Sequence, residues 1–364
     1  MATPPVGCAS NFPFTLGPVS RAASARRDGG LVHAYFDTNV YGLIARDGST
    51  ADVRRLLRRM RVIVRGSSHN LLETFRAPLE HRVPRIEAIV ALARVKEIEP
   101  SHYRIALEIR DEIRRRRPAW LVSNPDLRST RLLLRQYRQL WVEVTTDHHY
   151  LPPSPVLLGE SAAYLMSSQK ARRSRELAVG RERLELLSEL QERHQAHLNR
   201  MEKDEAYWRT ASAVNWWASL HDDRPLDDYR DWLAPYVDTR RINSDDWTTL
   251  WIREIQPVRD RLLRFVEYLQ TESRVDAGNF EDLLHASYML DVDVLVTSDV
   301  RFHNYLSELA RQSWMKNSAI PMLLAVDARS AVTDLERGLI DVKARVQAMH
   351  NTSSGSVGSR PADH

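Results

Sequence analysis

The chain has 364 residues, 43% hydrophobic and 27% charged, with a formal net charge of +4, a composition that excludes a wholly disordered chain and exceeds what one core usually organises. Its longest apolar run near the C-terminus, Ala319 to Val326, falls short of the roughly 18 residues that span a bilayer, so no membrane is expected as a partner. Cys8 is the only cysteine, which rules out an intrachain disulfide or a multi-thiolate zinc site and points to a reducing, cytoplasmic location.

Residues 1–30 set Arg21, Arg26 and Arg27 against Asp28, lack the apolar segment of a secretory signal, and read as a disordered lead-in. Leu31 to Asn39, LVHAYFDTN, reads as a strand closing on a carboxylate and turn formers. A helix over Ala51 to Met60 and a strand over Arg61 to Arg65 follow, ended by Gly66-Ser67-Ser68. Helices from near Asn70 and around Arg85 to Leu92 lead to a strand near Arg94 to Ile98. This alternation is the pattern of a parallel α/β sheet.

The pattern returns only at the far end. There a helix near Phe280 to Leu290, a strand at Asp293 to Thr297, a helix near His303 to Arg311 and a strand at Met322 to Val326 are expected. Neither cluster alone can bury a core, so five strands in two clusters predict one interrupted sheet. Residues 31–100 and 275–350 then make the α/β domain, and residues 101–274 an all-helical insertion. That insertion holds eight of the nine tryptophans, which predicts an aromatic core of its own, and a charged stretch from Ser161 to Arg209. Residues 351–364, rich in serine and glycine, read as a disordered tail.

In such a sheet, ligands bind beyond the carboxyl ends of the strands, where the strand order reverses. Asp37 ends the first strand and Asp299 lies just past the fourth, while Glu73 and Asp282 fall at the starts of neighbouring helices. Carboxylates gathered in one crevice repel each other unless a cation neutralises them, and Mg²⁺ or Mn²⁺ suits an all-oxygen ligand set.

Tyr35-Phe-Asp37-Thr-Asn39-Val40, Ser68-His-Asn-Leu-Leu-Glu73, Glu281-Asp282-Leu-Leu-His-Ala286 and Leu295-Val-Thr297-Ser-Asp299-Val-Arg-Phe302 resemble the ordered acidic motifs of PIN-domain nucleases. The resemblance implies a five-stranded sheet of order 3-2-1-4-5 and Mg²⁺- or Mn²⁺-dependent cleavage of phosphodiester bonds, most often in RNA and less often in DNA. It gives the acidic, metal-binding positions to Asp37, Glu73, Asp282 and Asp299, and the polar positions beside them to Asn39 and Thr297. It also implies 5′-phosphate and 3′-hydroxyl products. It covers residues 31–100 and 275–328 and does not reach the insertion, which puts 209 positions between Glu73 and Asp282.

Plainer readings stand beside these. Asn70 and Asn279 resemble helix N-caps with an acid three residues on, so Glu73 and Asp282 could serve only to stabilise helix starts. Glu281 competes with Asp282 for the third acidic position, and alignment with the family pattern selects Asp282. His69, His285 and His303 lie near the crevice, but a lone histidine is more often structural, so the site reading leaves them out.

Residues 1–150 carry 25 basic against 15 acidic side chains, and the remainder 27 against 33, which makes one surface attractive to a polyanion. The best candidate for that surface is the row Arg128, Arg131, Arg135 and Arg138, whose spacing lines up on one helix face. The expected function is a metal-dependent endoribonuclease. The alternative is a non-catalytic scaffold that docks nucleic acid, a protein inhibitor or another protein through the insertion.

Overall fold

Short apolar runs become the strands of one parallel sheet in the computed structural model: β1 Val32–Phe36, β2 Val62–Ser67, β3 Ala93–Ile98, β4 Val294–Thr297 and β5 Ile320–Leu323. The structure describes residues 31–150, 201, 203–221, 230–271, 278–315, 320–324 and 331–354. The lead-in expected over residues 1–30, most of the charged stretch 161–209 and residues 355–364 of the expected tail lie outside them. The α/β class with a parallel sheet agrees with the sequence reading.

The sheet order is β3-β2-β1-β4-β5, so the two strand clusters meet at β1 and β4, where Ala34 faces Val294 and Phe36 faces Val296. β5 begins two residues earlier than expected and includes Pro321, which a sheet tolerates on an edge strand because no second neighbour needs its N–H.

Successive side chains of a strand point to opposite faces. Val32, Ala34 and Phe36 of β1, with Val294 and Val296 of β4, enter one core, while Tyr35 and Leu295 enter the other. Both faces are covered, which is why these strands are apolar throughout rather than alternating.

The first face is packed by α1 (Thr38–Arg46), α2 (Thr50–Arg59), α4 (Leu79–Leu92) and α13 (Ala331–Ser354), α3 (Ser68–Phe75) leading from β2 into α4. The second is packed by α5 (Ser101–Arg116), α7 (Lys203–His221), α8 (Arg230–Leu233), α9 (Ser244–Thr249), α10 (Val258–Thr271), α11 (Gly278–Ala286) and α12 (Val300–Arg311). Trp208, Trp216, Trp247 and Trp251 therefore belong to a core continuous with Tyr35 and Leu295 of the sheet, not to one apart from it. Helices from 101–274 are the cover that the second face of a parallel sheet requires.

α6 (Arg128–Thr146) is the exception among them, since its Leu140, Trp141 and Val144 join the first core. A Cβ at Gly66 of β2 would meet Trp141 Cη2 at 2.5 Å, so only glycine lets the indole lie against the strand. A buried ion pair ties the second layer together: Arg259 of α10 donates to both oxygens of Asp291, at 2.7 Å each, and Arg104 of α5 reaches the same carboxylate at 3.0 Å. These cations hold Asp291 below the usual carboxylate range although burial opposes ionisation.

α13 runs to Ser354, into the segment expected to be a disordered tail; no proline or glycine interrupts the sequence between Gly338 and Gly355. Among the described residues no helix is long and apolar enough to cross a membrane.

Candidate metal centre

The site is built on the adjacency of β1 and β4. Asp37 follows the last residue of β1, its N–H donating to Val296 O at 2.9 Å, and its side chain caps α1 by accepting from the Asn39 N–H at 3.2 Å. Its other oxygen accepts from the Thr297 hydroxyl at 2.6 Å. That same hydroxyl accepts from the Asp299 N–H at 3.0 Å, so one buried threonine couples the ends of β1 and β4. Asp299 caps α12 through the Phe302 N–H at 2.9 Å and stays partly exposed. Asn39 contributes its backbone to the Asp37 cap, and its side chain is exposed.

Glu73 lies in the second turn of α3, not the first. The helix starts at Ser68 with Ser67 as N-cap, and Asn70 closes a capping box by accepting from the Ser67 N–H at 3.1 Å. The capping role is thus filled without Glu73, which instead bonds His285 Nε2 at 2.9 Å. Asn70 also donates to Phe36 O at 3.0 Å, pinning the end of β1 to the start of α3.

Asp282 likewise sits one turn inside α11 rather than in its first turn. Its neighbour Glu281 pairs with Arg76, the residue that ends α3. Asp282 turns the other way, is 8% exposed, and has one oxygen, Oδ2, with no hydrogen bond. The Arg301 guanidinium stands 3.8 Å from that oxygen. Burial and the charges of Asp37 and Asp299 push the Asp282 carboxyl up to about 8, and the charges of His285 and Arg301 oppose the shift only in part.

Ligand atoms of Asp37, Glu73 and His285 all lie within 4.8 Å of one another, and this group could hold a metal ion. Asp282 and Asp299 are not members of that tight group; they act on it from beside it, Asp282 feeling both Asp37 and Asp299. Burial, with Glu73 nearby, raises Asp37 against the opposing charge of His285. Glu73 is held low, the hydrogen bond and charge of His285 outweighing burial, and His285 is raised because Glu73, Asp37 and Asp282 outweigh its burial.

His285 is the residue the sequence reading leaves out. It is 1% exposed, its Nδ1 meets the Tyr35 hydroxyl at 2.6 Å, and that hydroxyl meets Ser67 Oγ at 2.8 Å. The available signal is the spacing of Asp282 and His285, three apart on one helix and so on one face. His69 is buried against His102 and Tyr288, with its charged form suppressed by burial and by His102.

Arg128, Arg131, Arg135 and Arg138 are all exposed on α6, and Arg128 is paired with Asp126 at 2.5 Å. Comparison with protein-family models, with curated proteins and with solved structures finds no match to this chain.

Proposed function

We propose that the chain is a divalent-metal-dependent nuclease of the PIN type, an endoribonuclease of the cytoplasm. The observation that carries this reading is the Asp282 carboxylate, buried without a hydrogen bond on Oδ2 and lifted to about 8 beside Asp37 and Asp299. Such a group is stable as an anion only beside a cation, and the oxygens around it suit Mg²⁺ or Mn²⁺. The sheet order β3-β2-β1-β4-β5, with Asp37 and Asp299 just past neighbouring strands, also supports the reading.

Asp37, Asp282 and Asp299 would hold the ion, Glu73 would bind it or orient its water, and His285 offers a nitrogen in the same space. When bound, the ion would supply a water of lowered pKa and neutralise charge growing on the phosphate. Thr297 holds one oxygen of Asp37 and fixes the Asp299 backbone, so both acids are positioned before substrate arrives. His285, anchored by Tyr35, is placed to keep Glu73 ionised. The overall reaction is addition of water across phosphorus and the leaving 3′ oxygen, which breaks that P–O bond and gives 5′-phosphate and 3′-hydroxyl ends.

The test is a Mn²⁺ digest of single-stranded RNA and DNA oligonucleotides, with fragment ends sequenced. Wild type should cut RNA, and Asp37→Asn and Asp299→Asn should abolish cutting while retaining the wild-type circular dichroism. Cleavage by Asp299→Asn at the wild-type rate refutes the assignment.

A further inference from the structure

A cleft of about 570 Å³ opens between α1, α4 and the loop after β4. Asn39 and Asp299 of the candidate metal centre are part of its lining, Arg46, His81 and Arg85 contribute basic side chains, and Glu80 contributes one further acid. Two features show that Arg85 is specifically accommodated there. Its guanidinium lies against Gly42 of α1, where a Cβ would stand 3.0 Å from Nη2 and 3.1 Å from Nε. Its Nε is buried and has no hydrogen-bond partner. Among the described residues no carboxylate lies within salt-bridge distance of Arg85; Glu73 is felt only through space, as a charge that Arg85 helps keep ionised.

A planar, always-charged fork with unused donors, set in a cleft lined in part by a carboxylate site, matches a phosphate diester. Arg46 is exposed on the same wall, one helical turn beyond Gly42. We propose that this cleft seats a backbone phosphate of the RNA strand flanking the bond to be cut, with Arg85 as its principal ligand and Arg46 as a second cation. The proposal rests on the nuclease reading and extends it: the acids act on one phosphate while this cleft holds a neighbour and so sets the register of the strand. It is distinct from the Arg128 to Arg138 row, which lies on α6 and does not line the cleft.

The experiment measures fluorescence anisotropy of a labelled 12-nucleotide single-stranded RNA in EDTA, over a range of salt, for wild type, Arg85→Gln and Gly42→Ala. Arg85→Gln should weaken binding about tenfold and flatten the salt slope by about 0.7, the value for one lost phosphate contact on a single strand. Gly42→Ala should weaken binding in the same direction by displacing the guanidinium. It should melt no lower than wild type, because alanine is the better helix former and the atoms it meets are the far end of a flexible side chain. Mn²⁺ binding by calorimetry should be unchanged in both.

Wild-type affinity and slope in both variants would overturn the cleft proposal and leave the nuclease reading standing. Weakened RNA binding accompanied by lost Mn²⁺ binding would also overturn it, since Arg85 would then act through the acids. A wild-type protein that neither binds nor cuts RNA would overturn the nuclease reading, and this proposal with it.

Discussion

Replacing Asp282 by asparagine should stabilise the metal-free protein and abolish its stabilisation by metal. The carboxyl is lifted from an ordinary 3.8 to about 8 in the folded chain by burial and by Asp37 and Asp299. A folded-state pKa above the unfolded one means that folding binds a proton. The penalty is therefore absent below about pH 4, grows as pH rises towards 8, and is full above that. At about 1.4 kcal/mol per tenfold change in proton affinity the upper bound is about 6 kcal/mol, and relaxation with water penetration reduces this to roughly 2 to 4 kcal/mol.

Urea denaturation of wild type and Asp282→Asn in EDTA, at pH 5 and pH 8, reads the difference directly. The variant should be the more stable at pH 8, by a margin that shrinks at pH 5. In millimolar Mn²⁺ the order should reverse at pH 8, because only wild type gains the linkage free energy of the bound ion. A variant less stable than wild type in EDTA at pH 8, or a gap independent of pH, would show that Arg301 or another group already compensates the carboxylate. Asp282 would then be no uncompensated buried acid and would need no metal ion.

Three further outcomes follow from the same contacts. Thr297→Val removes the hydroxyl shared by Asp37 and Asp299 and should lower Mn²⁺ affinity by about 10 to 100-fold in calorimetry, with a loss of about 1 to 3 kcal/mol in stability. Asp291→Ala takes the two-pronged partner from the buried Arg259 and leaves it only Glu108 and the Ser287 carbonyl, which should cost about 3 kcal/mol in urea denaturation without touching metal affinity. Arg131→Glu with Arg135→Glu alters two exposed positions on α6. It should leave stability within about 0.5 kcal/mol while weakening RNA binding and flattening its salt slope, and unchanged binding would assign the row to the solvated surface.

What was legible in the sequence, and what was not, divides along a physical line. Strand runs and the acids that follow them are local signals, so Asp37 and Asp299 could be placed at strand ends from residues alone, whereas the adjacency of those two strands was implied only by the resemblance to PIN-domain nucleases. α1 was not legible: Asp-Thr-Asn followed by a central Gly42 reads as a turn, and the helix exists because Asp37 caps it and Val40, Tyr41 and Ile44 are buried on the sheet. α13 carried a usable signal in Leu335, Leu339, Val342 and Val346, spaced to bury one face, which the strand-led reading passed over.

Other features depend on partners distant in the chain. Glu73 reads as a helix-start acid until His285, 212 positions on, is brought against it. Asp282 and Glu281 are adjacent in sequence, where only the family pattern prefers Asp282, and in the fold Arg76 takes Glu281. The tryptophans looked like a separate core because composition cannot report that the sheet has a second face in need of cover.

The proposed nuclease site requires two stretches far apart in numbering to present their acids to one divalent ion. Crystals soaked in Mn²⁺ and measured at a wavelength where manganese scatters anomalously test it most directly. An anomalous peak is expected within coordination distance of Asp37 and at least one of Asp282 and Asp299, and it should be lost in the Asp37→Asn protein. A saturating soak that leaves this crevice without a peak, or a peak there that persists in Asp37→Asn, would contradict it.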